Sequence, residues 1–565
     1  PYDEIVSLLS RRFPNPLALP PPVVLAWVRA FSLVVSSLTP GFSSVVDAIL
    51  SLDWETRDDA FGKAYSVLLQ NLVSAHAIYV IPVAKVLMKA MRCCKYLARA
   101  RCCVGGDRTI ENEVSRATLY DRAHFMLRRV LSLIPTGPSF MLPIITENFP
   151  HKREALGVHV HYLRNLLRII EYAPVISAKV LALIVDRVVQ IDVEIQVELE
   201  DLDEDIWDEV QQKILALDPR NANGTAAQMN PSSAEIPDPD EDDDMNFDSD
   251  DDDDDAAPMI VDFRIAVEKL DAMLRILFQY LEEFKATRPQ PALRELFDDL
   301  VAIFVRTVLP THKLRCTQFL WFYACSLDPT FPDLFLGMLI QTLFEQGAPT
   351  ALRVSATAYL GSFIARARYV SLDSVRMCLR LLHQYALGYV DEADAAPGMR
   401  ALDIERHAVF YASVQAVVYV FCFRWKQLMY EADGRALYGQ LPAELAGFQK
   451  TLMCKLSPMR VCSRTIVTEF ARLTHKLDIM YCYPLIDRRT VTQSALLPAS
   501  GTSHPFSTPP PDAADQQQPD GPAAISDRLD AFFPFDPISL PVSRNYVDSL
   551  YQAWVGEDED ERSEE

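Results

Sequence analysis

The sequence predicts an all-α fold on three observations. The 565 residues include 38 prolines against 18 glycines, which disfavours glycine-rich phosphate loops and tight β-hairpins and favours helices punctuated by proline. Half the chain is apolar and 10% is aromatic, enough to bury a large core. Apolar positions recur at helical spacing on both sides of an acidic stretch, without the period-two alternation of strands. Paired helices in a train, with no βαβ rhythm, predict a HEAT-repeat-like helical superhelix with a disordered acidic insertion, each repeat burying its apolar side on a neighbour.

Residues 1–216 read as the first set of helical repeats. Between Val23 and Val189 helical segments of about 12 to 22 residues stop at Pro40, Pro82, Pro135, Pro143, Pro150 and Pro174. In HVHYLRNLLRIIEYAP, Tyr162, Leu163, Leu166, Leu167 and Ile170 form one stripe. Residues 217–258 combine turn residues with self-repelling charge and read as a disordered insertion. The pattern returns over 259–493, where Leu270, Met273, Leu274, Leu277, Phe278 and Leu281 share a face. Within it, the 17 uncharged residues His407–Phe423 are short for a membrane span of about 20 residues and read as a buried core helix. Residues 494–528, rich in Pro, Ser, Gln and Asp, read as a low-complexity linker. Residues 529–556 bring aromatics back, and Phe532, Phe533, Phe535 and Trp554 are expected to anchor this segment on the helical body. An acidic tail, 557–565, follows.

The net charge of −23 is concentrated in three runs. Asp192–Glu209 carries −10, Glu235–Asp255 carries −14 and Glu557–Glu565 carries −6, so the rest of the chain stands at +7. The body is mildly basic and the acidic runs read as solvated segments. Its basic groupings, Arg128-Arg129, Lys152-Arg153, Arg366-Arg368 and Arg488-Arg489, read as solvated helix faces rather than a nucleic-acid stripe. PYDEIVSLLSRRFPNP has no apolar core behind a basic start, so no secretory signal is expected.

Enzyme motifs are absent: no P-loop, GxGxxG, GxSxG, HExxH, HRD or DFG occurs in a fitting context. No catalytic residue, cofactor or metal ligand is therefore expected. The adjacent pairs Cys93-Cys94 and Cys102-Cys103 lack the CxxC spacing of a zinc site, since neighbours on a helix point about 100° apart. They read as thiols of a reducing compartment. His159 and His161 read as packing or surface histidines. Ser249, with Asp250, Asp251 and Asp252 immediately following, fits an acidophilic kinase site.

Several segments together carry a resemblance. IDVEIQVELEDLDED, ENFPHKR (Glu147–Arg153), LPTHKLRCTQFLWFYACS, RVSATAYLGSFIARARYVSL, HAVFYASVQAVVYVFCFRWKQLM and FFPFDPISLPVSRNYVDSLYQAW resemble, in order along nearly the whole chain, the RNA polymerase I-specific transcription initiation factor family (TIF-IA type). The resemblance implies a HEAT-repeat superhelix without catalytic residues, working in the nucleus and nucleolus. It would bind free RNA polymerase I on the stalk side, keep it initiation-competent and bridge it to the promoter-bound core factor. It implies regulatory kinases acting on an N-terminal serine-bearing surface, where phosphorylation weakens polymerase binding. Here that surface is expected around Ser132, Ser139, His151, Lys152 and Arg153, with Lys152 and Arg153 standing where hydroxyls would otherwise sit. No membrane partner and no sequence-specific nucleic-acid binding are expected, and a homodimer is left open. Two other classes, a nuclear-transport-type solenoid adaptor and an acidic chaperone for basic proteins, fit a helical solenoid with an acidic loop but leave the aromatic terminus without a role.

Overall fold

The computed structural model describes residues 2–11, 19–55, 57–92, 116–134, 136–200, 257–395, 404–429, 439–486, 532–538 and 540–553. Among them the fold is all-α, without a strand, as the proline-punctuated periodicity predicts. Two compact units are present. The first comprises Pro1–Leu300 with Pro541–Ser543, and the second Val301–Leu540 with Arg544–Glu565. The expected acidic insertion up to residue 256, the linker, the acidic tail, both cysteine pairs, Ser249 and Trp554 lie outside the described residues; Ala257 and Pro258, expected to end the insertion, already begin a helix, since proline is tolerated in a first helical turn.

The first unit contains α1 (Tyr2–Ser10), α2 (Pro21–Leu33), α3 (Ser43–Leu50), α4 (Asp59–Ala75), α5 (Val80–Arg92), α6 (Arg116–Leu133), α7 (Gly137–Asn148), α8 (Leu156–Tyr172), α9 (Ser177–Glu200), α10 (Ala257–Thr287) and most of α11 (Gln290–Ile303). Local chemistry sets the boundaries. Prolines occupy the first turn of α2, where an N–H would have no helical acceptor. Asp58 caps α4 by accepting a hydrogen bond from Phe61 N at 3.2 Å. Pro40 and Pro174 open 3-10 turns between helices.

Pro143 departs from expectation. It lies inside α7 rather than ending it. The carbonyl its missing N–H would have engaged is that of Ser139, an exposed residue of the first turn, where water can take over the bond. Pro82 likewise sits in the first turn of α5. The apolar stripes are buried as the periodicity predicts, both Tyr162 to Ile170 on α8 and Leu270 to Leu281 on α10.

The second unit contains α12 (Phe319–Cys325), α13 (Phe331–Phe344), α14 (Thr350–Arg366), α15 (Leu372–Ala395), α16 (Ala408–Leu428), α17 (Phe448–Met453), α18 (Pro458–Val461), α19 (Arg464–Lys476), α20 (Tyr483–Ile486) and α21 (Arg544–Val547). Its centre is α16. This helix is long and apolar enough to cross a membrane, yet 83% of its apolar window is buried inside the protein, the core role the sequence suggests. Helix α14 packs closely on it because Gly361 has no side chain. A Cβ there would stand 2.7 Å from Ala416 Cβ, inside van der Waals contact.

Candidate functional site

The expected partner surface belongs to the first unit, and its residues fall at the two ends of α7. Ser132 is exposed in the last turn of α6 and its hydroxyl donates to Arg129 O at 2.7 Å. Ser139 is exposed in the first turn of α7 and donates to Thr136 O at 2.7 Å. The intervening helix separates this end from the loop holding His151, Lys152 and Arg153 by roughly 15 Å at 1.5 Å per residue. All three loop side chains are exposed.

That loop is tied down from several sides. Lys152 Nζ pairs with Glu194 Oε1 of α9 at 2.7 Å. The buried Lys269 of α10 donates its ammonium to Lys152 O. Glu154 pairs with Arg92 at the end of α5 and accepts from His151 N at 2.9 Å. Residues 151–154 are therefore presented on a fixed backbone rather than a free loop.

Beside the loop lies a cleft of about 270 Å³ lined in part by Phe149, His151, Lys152, His159, Arg187 and Glu194. His159 is 2% exposed and its Nδ1–H donates to Ala155 O at 3.2 Å. Burial lowers its pKa to about 4, so it is neutral at physiological pH. It serves as a packing residue, as the sequence suggests. His161 faces another side, bonded to Arg116 at 2.6 Å. Among the described residues no group of acidic, His or Cys side chains is arranged to hold a metal.

A second polar centre in this unit was not legible in the sequence. His124 of α6 meets Tyr172 OH at 3.0 Å and Asn165 Oδ1 at 3.1 Å, and Asn165 Nδ2 donates to Met91 O at 2.9 Å. Burial lowers the His124 pKa to about 4. Asp271 is equally hidden, its carboxylate accepting from Val542 N at 3.0 Å and Ser543 N at 2.8 Å.

The second unit holds the aromatic anchor. Phe535 is fully buried in a slot walled by Phe319, Phe322, Tyr359 and Phe363, with ring centroids 5.3 to 5.8 Å away. Its N–H donates to Ser362 Oγ at 2.9 Å and its carbonyl accepts from Tyr551 OH at 2.8 Å. Phe533 is half-buried and stacks on Tyr419 of α16, centroids 4.1 Å apart and planes within 7°. Phe532 is half-buried against Tyr359 and His312. Phe532, Phe533 and Phe535 all make ring contacts with residues of the second unit.

Arg366 corrects one expectation. Grouped with Arg368 it reads as a solvated face, but the residue is 5% exposed. Its guanidinium lies 4.0 Å over the Phe423 ring and donates to Tyr419 OH at 2.9 Å and Asp536 Oδ1 at 3.1 Å. Its backbone carbonyl accepts from Gln552 N at 2.7 Å. Arg424 is buried for a related reason. It donates to Ile364 O at 3.0 Å and to Ala367 O, satisfying carbonyls left open at the end of α14.

Comparison with known proteins agrees with this architecture. A solved structure described as RNA Polymerase I Transcription Initiation Factor Rrn3 superposes with a TM-score of 0.70 at 19% identity, over 98% of this chain and 94% of that one, which shows the shared fold. The RNA polymerase I-specific transcription initiation factor rrn3 of Schizosaccharomyces pombe is 30% identical over 556 residues, covering 95% of this chain and 81% of that protein. RRN3 of Mus musculus is 28% identical, covering 94% of this chain and 75% of its own. The profile of one family, described as RNA polymerase I specific transcription initiation factor RRN3, matches residues 1–558. The chain belongs to that family.

Proposed function

We propose that this protein is an RNA polymerase I-specific transcription initiation factor that binds the free polymerase, keeps it initiation-competent and recruits it to the promoter-bound core factor for ribosomal RNA gene transcription, in the nucleus and nucleolus. The observation that carries this reading is the family match over residues 1–558. Its polymerase surface is the face of the first unit bearing Ser132 and Ser139 at one end of α7 and His151, Lys152 and Arg153 at the other. Kinases modulate it by adding charge to exposed hydroxyls, and Ser249 is a further acceptor.

Pull-down of the purified protein against RNA polymerase I, a GTP-loaded transport GTPase and core histones tests the reading. Selective capture of the polymerase, together with restoration of ribosomal RNA synthesis in an extract depleted of its own factor, is the expected result. Capture of the GTPase or histones instead would point to a transport adaptor or an acidic chaperone.

A further inference from the structure

We infer that Lys269 of α10 is a positioning residue for polymerase binding: it sets the backbone of the 151–154 loop so that His151, Lys152 and Arg153 are presented together, and it does so from the interior, without touching the polymerase. This rests on the reading that those three side chains meet the polymerase. Lys269 is 3% exposed, and no other lysine is buried among the described residues. Its ammonium donates to the backbone carbonyl of Lys152, 117 residues away along the chain. Glu154 and Glu194 lie near enough to act on it electrostatically.

Burying a lysine here runs against the pattern of its helix. Leu270, Met273 and Leu274 beside it are fully buried, and an apolar side chain would fill the same space without taking an ammonium out of water. Buried charges are a weak source of stability, and their best-attested use is to fix one arrangement against the alternatives. The partners of Lys269 show which arrangement that is. Its acceptor is the carbonyl of the residue whose side chain pairs with Glu194 on α9. Glu154, which pairs with Arg92 on α5, accepts from His151 N at 2.9 Å. The Lys152–Glu194 pair is exposed and the Arg92–Glu154 pair half-buried, so water and salt screen both and they hold their partners loosely. The bond from Lys269 comes from a buried donor and ends on main chain, so it fixes the path of the loop whatever the exposed side chains do. A loop ordered before binding loses less freedom on binding, which is how a residue that never reaches the partner sets the affinity.

Binding of full-length Lys269→Met and Lys269→Arg to purified RNA polymerase I, with amide hydrogen exchange at residues 151–154 and thermal melts alongside, tests this role. Methionine matches the stem of lysine and lacks the donor, whereas arginine keeps a donor. Lys269→Met is expected to weaken binding about threefold to tenfold and to speed exchange at the loop amides, while Lys269→Arg keeps most of the affinity. Both should melt close to wild type, since the group left behind is one carbonyl of an exposed loop. The deciding measurement is a cycle with His151→Ala/Lys152→Ala/Arg153→Ala, in which nothing remains to be presented: adding Lys269→Met to that variant should cost no further affinity. Wild-type binding or unchanged loop exchange in Lys269→Met overturns the inference. So does an equal further loss in the loop variant, which would make Lys269 a residue of the fold alone. If the loop variant binds weakly while Lys269→Met binds like wild type, the surface stands and only the positioning role falls. If the loop variant itself binds like wild type, or the wild-type chain does not bind the polymerase, the underlying reading of the surface fails as well.

Discussion

Phe535 illustrates how a single side chain can close a structure. Its slot is made by four rings from α12 and α14, and no water reaches it. Phe535→Ala is expected to destabilise the second unit by about 3–5 kcal/mol, against about 0.5–1.5 kcal/mol for the stacking part of Phe533 on Tyr419, read from the urea unfolding transition of that unit. Equal effects of the two alanine variants would contradict the burial difference. The first unit carries a pH response at the same scale. His124 and His159 have folded pKa values of about 4 against an ordinary value of about 6.5. The unfolded chain therefore takes up protons that the folded chain refuses. Stability is complete above about pH 6.5 and is lost towards pH 4 by about 1.4 kcal/mol per pH unit for each histidine. Burial raises the pKa of Asp271, so its contribution runs in the opposite sense at the acid end of that window. Urea midpoints of the first unit at pH 7 and pH 5 should differ accordingly, and His124→Asn should reduce the difference. A midpoint that does not move with pH would mean that both rings take up protons as readily in the folded chain as in the unfolded one.

At the scale of helices, the two candidate serines are not equivalent. Ser132 ends α6, where backbone carbonyls point outward and a phosphate meets an unfavourable helix dipole, whereas Ser139 begins α7, where the same charge is favoured. Ser132→Asp should therefore lower the melting temperature of the first unit slightly and Ser139→Asp should not, while both weaken polymerase binding in a pull-down. Retained binding by both would move the surface elsewhere on the chain. Helix type and apolar face were legible in the sequence because the spacing of Leu, Ile and aromatic residues depends only on helix geometry. Pro143 was misread because a helix tolerates proline where the orphaned carbonyl reaches water, a matter of exposure rather than of pattern. Arg366, Arg424 and His124 were misplaced or missed for a kindred reason: each is held in the core by acceptors at least 41 residues away, and a polar residue among apolar neighbours looks like any solvent-facing position.

For the whole molecule, the charge distribution matters more than its sum. The body stands at +7 once the three acidic runs are set aside, and Glu235–Asp255 carries −14 on the same chain. A tethered polyanion competes with nucleic-acid phosphates for basic surface, most effectively at low salt, where counterion release is strongest. Deleting Glu235–Asp255 should raise affinity for random duplex DNA at low ionic strength, with the gain fading as salt rises, and leave circular dichroism and polymerase capture unchanged. Identical DNA binding across the salt series would leave the run as a spacer. The exposed half of the candidate surface was legible through ENFPHKR and its neighbours. The cleft behind it was not, since Arg187 and Glu194 reach it from α9, separated from the loop in sequence.

The docking of Phe535 also fixes an order of events during synthesis. Ser362, which receives its N–H, is 173 residues nearer the N-terminus. At about 5–20 residues per second a ribosome needs roughly 10 to 35 s to bridge that interval. Throughout it the slot among Phe319, Phe322, Tyr359 and Phe363 has no occupant, and the core of the second unit presents apolar rings to the cytosol. A nascent chain stalled before residue 530 should consequently recruit Hsp70-type holdases that release once the final segment emerges, whereas one carrying Phe535→Ala should keep them bound.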